Sequence, residues 1–158
     1  MTLTFARAAL AAAFAMAAVP SQAENLRASD PDAVMLAMQK EGFLVTRETA
    51  DDGTPKLVSR VSVSRFQVYF YGCDKAGESC TSIQFSAGYD LDAPMSALKT
   101  NQWNSENRYS RAFIDDEGDP YLKLDLSLFG DGTGQENFGE VLDLWRLLVE
   151  DFEDFIDW

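Results

Sequence analysis

The stretch from Phe66 to Tyr89 decides the fold, and its sequence is FQVYFYGC, DKAGES and CTSIQFSAGY. Two runs of alternating apolar and polar residues flank six residues, and each run has a cysteine at its inner end. This pattern predicts a β-hairpin, and the only two cysteines of the chain, Cys73 and Cys80, predict a disulfide across its mouth. Free thiols and a metal site are the alternatives, but six intervening residues and the absence of histidine argue against zinc.

The cysteines also predict the register of this hairpin. If Cys73 faces Cys80 in an antiparallel pair, then Val68 faces Phe85 and Tyr69 faces Gln84. One face of the hairpin is then apolar, and the other carries polar residues and tyrosines. A shift by one residue would mix the two faces, whereas a shift by two would keep them. Only the cysteine pairing argues against the shift by two.

The first 23 residues predict a secretory signal peptide. They contain one charge, Arg7, then an apolar run from Ala8 to Val19 and a small-residue cleavage pattern that ends at Ala23. The run is too short and too rich in alanine for a good membrane span, so we expect no membrane insertion after cleavage. An uncleaved anchor helix is the alternative. Export to the periplasm also suits a disulfide, because that compartment is oxidising.

The charge of the mature chain excludes some classes of partner. Removal of Arg7 with the signal peptide leaves 12 basic and 26 acidic residues, a net charge of −14. Nucleic acid and anionic membranes would be repelled by such a surface. Solubility is the simplest reason for the charge, and a protein or peptide partner is the first hypothesis.

The remainder of the chain predicts helices and further strands around the hairpin. The predicted helices span Pro31–Glu41, Pro94–Trp103 and Gly134–Ile156, and the predicted strands span Phe43–Glu48, Lys56–Ser62, Tyr109–Asp115 and Tyr121–Leu128. The order is α-β-β-β-β-α-β-β-α. It predicts a two-layer α+β domain over residues 24–158, with an antiparallel sheet of about six strands and three helices.

Local signals predict how these helices begin and which residues they bury. Ser29 is expected to cap the first helix, and Thr133 with Glu136 is expected to form a capping box on the last. Leu98 is expected on the inner side of the second helix. Asn25–Arg27 is expected to be a short mobile lead.

Several short motifs resemble those of the YbjN-domain family of bacterial sensory transduction regulators. They are Gly72-Cys73 with Cys80, Ile83-Gln84-Phe85-Ser86-Ala87, Asn101-Gln102-Trp103-Asn104 with Arg108, and Asp116-Glu117-Gly118 before a leucine-rich strand. The resemblance covers nearly the whole mature chain. It implies a fold similar to the type III secretion chaperones, and it implies no defined chemistry. Export of this chain departs from the cytoplasmic regulator that the family description suggests, and argues against a direct role in transcription.

Two sets of residues are candidates for binding. Trp103, Asn104 and Arg108 predict a recognition corner, or else a core tryptophan, a helix-capping amide and an ion-paired arginine. Tyr69 and Tyr71 lie on the polar face of the hairpin. With Tyr121 they predict an exposed aromatic patch of the kind enriched at interfaces, although single exposed tyrosines are also common.

The end of the last helix is a third candidate. Phe152, Phe155 and Trp158 continue its apolar stripe, while acidic residues stand at the end where negative charge opposes the helix dipole. This segment predicts either a binding or homodimer surface or simply the closure of the domain's own core.

Catalytic and metal-binding signals are weak. The acidic turn Asp115–Asp119 and Asp131 lack the ligand spacing of an EF-hand, so no metal or cofactor is expected. With no histidine and no nucleophile motif, we expect no catalytic residues and no enzyme activity. The first hypothesis is therefore a chaperone-like interaction or regulatory module, active in stress or envelope signalling. A small-ligand sensor with a pocket between sheet and helices and a carboxylate-dependent hydrolase are the alternatives.

Overall fold

The computed structural model describes residues 25–158, so the predicted signal peptide lies outside the described residues. The strands form one antiparallel sheet in the order β1-β2-β3-β4-β6-β5. The elements are α1 Pro31–Lys40, β1 Thr46–Thr49, β2 Pro55–Val61, β3 Ser64–Tyr71, β4 Ser82–Gly88, α2 Ala97–Glu106, β5 Arg111–Ile114, β6 Pro120–Ser127 and α3 Gln135–Ile156. The predicted fold class and element order are confirmed.

The β3–β4 hairpin has the register expected from the sequence. Val68 lies opposite Phe85, and Tyr69 lies opposite Gln84. Cys73 and Cys80 are joined by a disulfide just beyond the last pair of the ladder. Because side chains alternate between the two faces of a strand, this register places every large apolar residue of the hairpin on one side of the sheet.

The helices pack on that apolar side, where the core lies. Trp145 of α3 is fully buried, and its ring centroid lies 5.7 Å from that of Phe66 and 5.6 Å from that of Phe85. Trp103 of α2 reaches the same layer and contacts Phe152 of α3, with ring centroids 4.7 Å apart. Sheet and helices thus form two layers with one core between them.

The predicted helix caps are wrong by one position. Asp30, not Ser29, caps α1, because its side chain accepts a hydrogen bond from the Ala33 N–H. Helix α3 begins after Gly134 without a side-chain cap. The backbone of Thr133 is instead paired with that of Leu26, so the local capping signal yields to a tertiary contact.

The predicted mobile lead is also wrong, because Leu26 is buried and its backbone exchanges two hydrogen bonds with Thr133. Gly132 permits this approach: it has a φ of +75°, and a Cβ there would lie about 2.1 Å from the carbonyl oxygen of Leu26. Leu98 is 80% exposed, so the prediction that it lies on the inner side of α2 is wrong as well.

Strand β1 begins three residues later than predicted. Phe43 donates its backbone N–H to Met38 at the end of α1, and its ring packs against Phe66. Burial of this aromatic ring therefore binds the segment before β1 to the helix layer. In the described part of the chain, no helix is long and apolar enough to cross a membrane.

We expect the double substitution Cys73→Ser/Cys80→Ser to lower the free energy of unfolding by roughly 2–3 kcal/mol, because the disulfide closes a short loop in the unfolded chain. Urea denaturation measures this change. The far-ultraviolet circular dichroism spectrum should be retained, because both positions lie beyond the last residue pair of the β3–β4 ladder. Reductant should destabilise the native protein by the same amount and leave the variant unaffected; an equal effect on both proteins would contradict the assignment.

Candidate functional site

The side of the sheet opposite the helices is the most distinctive surface of the described chain. We call it the open face, because no helix of residues 25–158 packs on it. The ladders place on it polar, charged and aromatic side chains of all six strands, among them Glu48, Lys56, Arg60, Arg65, Gln67, Tyr69, Tyr71, Gln84, Arg111, Phe113, Tyr121, Lys123 and Asp125. An uncovered face with aromatic side chains is a typical place for a partner to bind.

An aromatic stack lies at one side of the open face. The rings of Phe113 and Tyr121 are stacked, with centroids 5.0 Å apart and planes 14° from parallel. The Lys123 ammonium nitrogen lies 4.7 Å from the Phe113 centroid, within cation–π distance. The Tyr121 ring also covers Gly88, where a Cβ would lie about 2.6 Å from it. Glycine at position 88 therefore lets the tyrosine lie flat on the sheet.

The two tyrosines predicted from the hairpin lie on the open face, next to one another. The Tyr69 and Tyr71 ring centroids are 6.5 Å apart, and Tyr71 is 44% exposed. Partial burial, more than neighbouring charges, raises the pKa of the Tyr71 phenol above its usual value, so this tyrosine is neutral at physiological pH. The structure thus brings Tyr69, Tyr71 and Tyr121 onto one face. The sequence reasoning missed Phe113, although its pairing with Tyr121 could have indicated it.

Polar groups between these rings are partly satisfied. Gln84 is buried at the centre of the face and donates its side-chain N–H to Asp125 at 2.6 Å. The Gln84 side-chain oxygen has no hydrogen-bond partner among the described residues. Since an unpaired buried acceptor costs free energy, a ligand or solvent donor would be favoured at this point.

The open face continues at one end into a concavity of about 500 Å³. Its wall includes Tyr69 and Tyr121 from the face and Trp158 from the end of α3. The Trp158 ring meets that of Tyr89 edge to face, with centroids 5.2 Å apart, and remains 48% exposed. Trp158, one of the predicted binding residues, therefore borders the same surface as the tyrosines.

The other residues of the C-terminal segment are placed differently. Phe152 is fully buried between Tyr89 and Trp103, where it closes the domain's own core. Phe155 is half-buried against Trp103, and the Lys99 ammonium lies 5.2 Å from its ring centroid. These contacts hold the last turn of the helix in spite of its unfavourable acidic charges.

The predicted recognition corner is not assembled as a single site. Trp103 is buried and donates its indole N–H to Ser110 at 3.1 Å. Arg108 is exposed and its guanidinium lies over Tyr109 rather than beside a carboxylate. Asn104 uses its side-chain amide to pair with the backbone of Ala112, accepting from the N–H at 2.7 Å and donating to the carbonyl at 3.0 Å.

This Asn104 pairing occupies backbone groups of the edge strand β5. A strand edge normally presents unpaired N–H and C=O groups that recruit other strands. The side-chain amide of Asn104 makes the two hydrogen bonds with Ala112 that a neighbouring strand would make, so this residue of the edge is no longer free to pair with another strand. The asparagine therefore protects the edge, a role that differs from both readings of the motif in the sequence.

The acidic turn is occupied by its own backbone. Asp115 accepts hydrogen bonds from the backbone N–H groups of Glu117 and Asp119, and Asp119 accepts one from Leu91. Within residues 25–158, no group of three or more potential metal ligands was found. These carboxylates stabilise the turn between β5 and β6.

Three buried oxygens beside Tyr89 have no hydrogen-bond partner among the described residues. They belong to the hydroxyls of Ser64 and Tyr89 and to the carboxylate of Glu153. Burial is the main cause that raises the pKa of the Tyr89 phenol. The Glu153 charge adds to this rise, and the nearby Ser64 hydroxyl opposes it. Glu153 is the one buried carboxylate in the described part of the chain, so this part contains no buried carboxylate pair for hydrolysis.

Together the strands and helices of the described part define a small two-layer α+β domain with one uncovered sheet face. The sequence profile of the YbjN family, described as "Putative bacterial sensory transduction regulator", matches residues 30–158. The chain therefore belongs to the YbjN family. Comparison with curated proteins gave no significant match, and comparison with solved structures gave none either.

We expect Asn104→Ala to lower the free energy of unfolding by about 1–3 kcal/mol, because it removes two hydrogen bonds and leaves the Ala112 backbone without this partner. Chemical denaturation measures the change, and sedimentation tests whether the freed edge promotes self-association. Asn101→Ala, an exposed position on the same helix, is the matched control. An equal loss in both variants would show that Asn104 acts only through helix propensity.

We expect Tyr89→Phe to leave stability at neutral pH unchanged or increased, because it removes an unpaired buried hydroxyl. The raised pKa predicts a further difference at high pH. An unfolded tyrosine ionises near pH 10, whereas the folded phenol still holds its proton there, so stability falls as the pH rises above that value. Urea denaturation across this range should show a weaker alkaline loss for Tyr89→Phe than for the native protein. A loss of stability at neutral pH would indicate that the hydroxyl has a partner, such as the nearby Ser64 hydroxyl or a buried water.

Proposed function

We propose that the protein is an exported, non-enzymatic regulatory module that binds a protein or peptide partner through the open face. A regulatory role agrees with the family to which the chain belongs. The observation that carries the proposal is the open face itself: a whole side of the sheet on which no helix of the described residues packs, with Tyr69, Tyr71, Phe113 and Tyr121 on it.

The chemistry of these side chains supports a protein partner. Tyrosine is enriched in interfaces because it provides a large contact area and a hydroxyl at low entropic cost. The rings are already fixed by their neighbours: Tyr121 is stacked on Phe113 and covers Gly88. Less side-chain entropy is therefore lost on binding, which favours affinity.

The disulfide supports the exported location. Disulfides persist mainly in oxidising compartments such as the bacterial periplasm, and Cys73 and Cys80 are paired in the structure. The N-terminal sequence has the charge and apolar pattern of a secretory signal peptide. An exported regulator would act by contact with other envelope proteins, either as a monomer or as a homodimer.

A small-ligand sensor is the second candidate function. The concavity of about 500 Å³ beside Trp158 favours it, because aromatic walls and polar groups meet there. This concavity borders the open face. A ligand bound in it would therefore contact Tyr69 and Tyr121, and could alter partner binding through them.

The partner surface can be tested by site-specific photo-cross-linking in the native envelope. We expect a photoreactive amino acid at position 71 on the open face to cross-link a discrete partner. The same group at Leu147, which is 58% exposed on α3, should not do so. Excess native protein should compete for the partner, whereas folded Tyr121→Ser should compete less well, because it lacks the stacked ring. Equal cross-linking from both positions, or undiminished competition by Tyr121→Ser, would refute the proposal.

A further inference from the structure

Two pairs of like charges face each other directly on the open face. Arg60 lies opposite Arg65 between β2 and β3, and Arg111 lies opposite Lys123 between β5 and β6. Directly opposed like charges destabilise a sheet, and a chain with twice as many acidic as basic residues has ample means of avoiding them. Local rules of stability are most often broken at functional sites, so these pairs point to a function.

The charges of the two layers have opposite sign. The open face carries five of the chain's 13 basic residues but only two carboxylates, which belong to Glu48 and Asp125. The exposed side of α3 has six acidic residues and only Arg146 as a basic one: Glu136, Glu140, Asp143, Glu150, Asp151 and Asp154. The net negative charge of the protein therefore conceals a basic sheet face.

The carboxylates of the open face neutralise its cations incompletely. Glu48 is shared between Lys56 at 3.0 Å and Arg65 at 3.4 Å, and Asp125 lies 3.4 Å from Arg111. Both carboxylates thus already have a cation, and the face retains an excess of positive charge.

The remaining two cations contact neutral groups in the described fold. Arg60 donates to the backbone carbonyl of Val63 at 2.7 Å, and Lys123 lies over the Phe113 ring. Burial and the nearby Arg111 charge lower the pKa of Lys123, so its positive charge is itself disfavoured there. An added carboxylate would relieve this strain.

We infer that the open face binds an acidic, extended polypeptide segment, whose carboxylates pair with Arg60, Arg65, Arg111 and Lys123 and whose backbone or side chains contact the tyrosines of the same face. The inference rests on the proposed function and specifies the chemistry of its partner. The cations lie at both sides of the sheet, on β2 and β3 and on β5 and β6, and the aromatic side chains stand on β3, β5 and β6 beside them. Six strands span roughly 24 Å across, which an extended segment of about seven residues can cross.

The charge of the helix layer favours a short acidic segment over a long polyanion. Electrostatic interactions are screened over about 8 Å at physiological ionic strength. A segment that fits within the open face meets the five cations of its strands, and carboxylates of Asp90 and Asp119 only at the concavity at one end. A nucleic acid would extend beyond the face and approach acidic surfaces such as α3, which would repel its phosphates.

Peptide binding to charge-neutralised variants tests the inference. The probe is a fluorescently labelled peptide that alternates glutamate and valine, and its lysine counterpart is the control peptide. The variants are Arg111→Gln/Lys123→Gln and Arg60→Gln/Arg65→Gln. The control variant, Lys40→Gln/Lys75→Gln, makes the same change in net charge at exposed positions off the open face.

We expect the acidic peptide to bind the native protein and the lysine peptide to bind much less well. Each open-face variant should weaken binding of the acidic peptide by about five- to thirtyfold, since two charge contacts are lost. The control variant should stay within about twofold of the native protein. Neither open-face variant should be less stable in urea than the native protein, because each relieves a like-charge pair.

The results that would overturn the inference are distinct from those that refute the proposed function. Equal binding of the lysine peptide, equal weakening by the control variant, or tighter binding of a single-stranded oligonucleotide than of the acidic peptide would each overturn it. If the open-face charge variants still compete for the partner cross-linked from position 71 while Tyr121→Ser does not, the face binds its partner through aromatic contacts alone. The proposed function would then stand and the acidic segment would be excluded.

Discussion

Trp145 packs its indole against Phe66 and Phe85, two core residues of the β3–β4 hairpin, and all three are fully buried. Burial of side chains of this size supplies much of the free energy that offsets chain entropy. The contact attaches the longest helix to one side of the sheet. It also determines which strand residues form the open face, because side chains alternate along each strand and those that do not face α3 lie on the opposite side of the sheet.

The exposed surfaces follow from this packing. Once α3 lies on the sheet with its apolar stripe inward, its acidic residues other than Glu153 face outward, and basic residues of alternating strand positions share the open face. The segregation of charge is thus a consequence of two periodicities, one helical and one of strands, that act in the same domain. The composition of the sequence gives only the net charge and does not show that acidic and basic residues lie on different surfaces.

Strong patterns in the sequence correctly predicted the central part of the fold. The register of the hairpin could be derived because its two faces differ in polarity and because the cysteines select one pairing. The cap of α3 and the position of Leu26 could not be derived in this way. The burial of Leu26 and its bridge to Thr133 are tertiary contacts that override the local capping signal. Leu98 was assigned to the wrong side because α2 presents only a weak apolar stripe.

The candidate surface was predictable in part. Alternation along the hairpin placed Tyr69 and Tyr71 on the face away from the core, and Tyr121 was predicted beside them. The structure adds Phe113, which stacks on Tyr121. The motif at Asn104 was ambiguous, because an asparagine side chain can cap a helix or pair with a distant backbone equally well. The pair Arg111–Lys123 belongs to the same register as Phe113–Tyr121, and both were missed because no register was derived for the β5–β6 hairpin.

Net charge is a poor guide to the partner of this domain. The basic face is strongest close to the sheet, whereas the acidic residues of the other layer and of the loops dominate at longer distances, where salt screens them. An acidic segment is therefore attracted only after it has come close to the open face. Contacts with the tyrosines of the open face must then help to hold the segment there. Arg60 and Arg65 remain opposed in the folded protein at some cost in stability. Carboxylates of a bound segment would reduce the repulsion between the two arginines, so the relief of this repulsion would contribute to the free energy of binding.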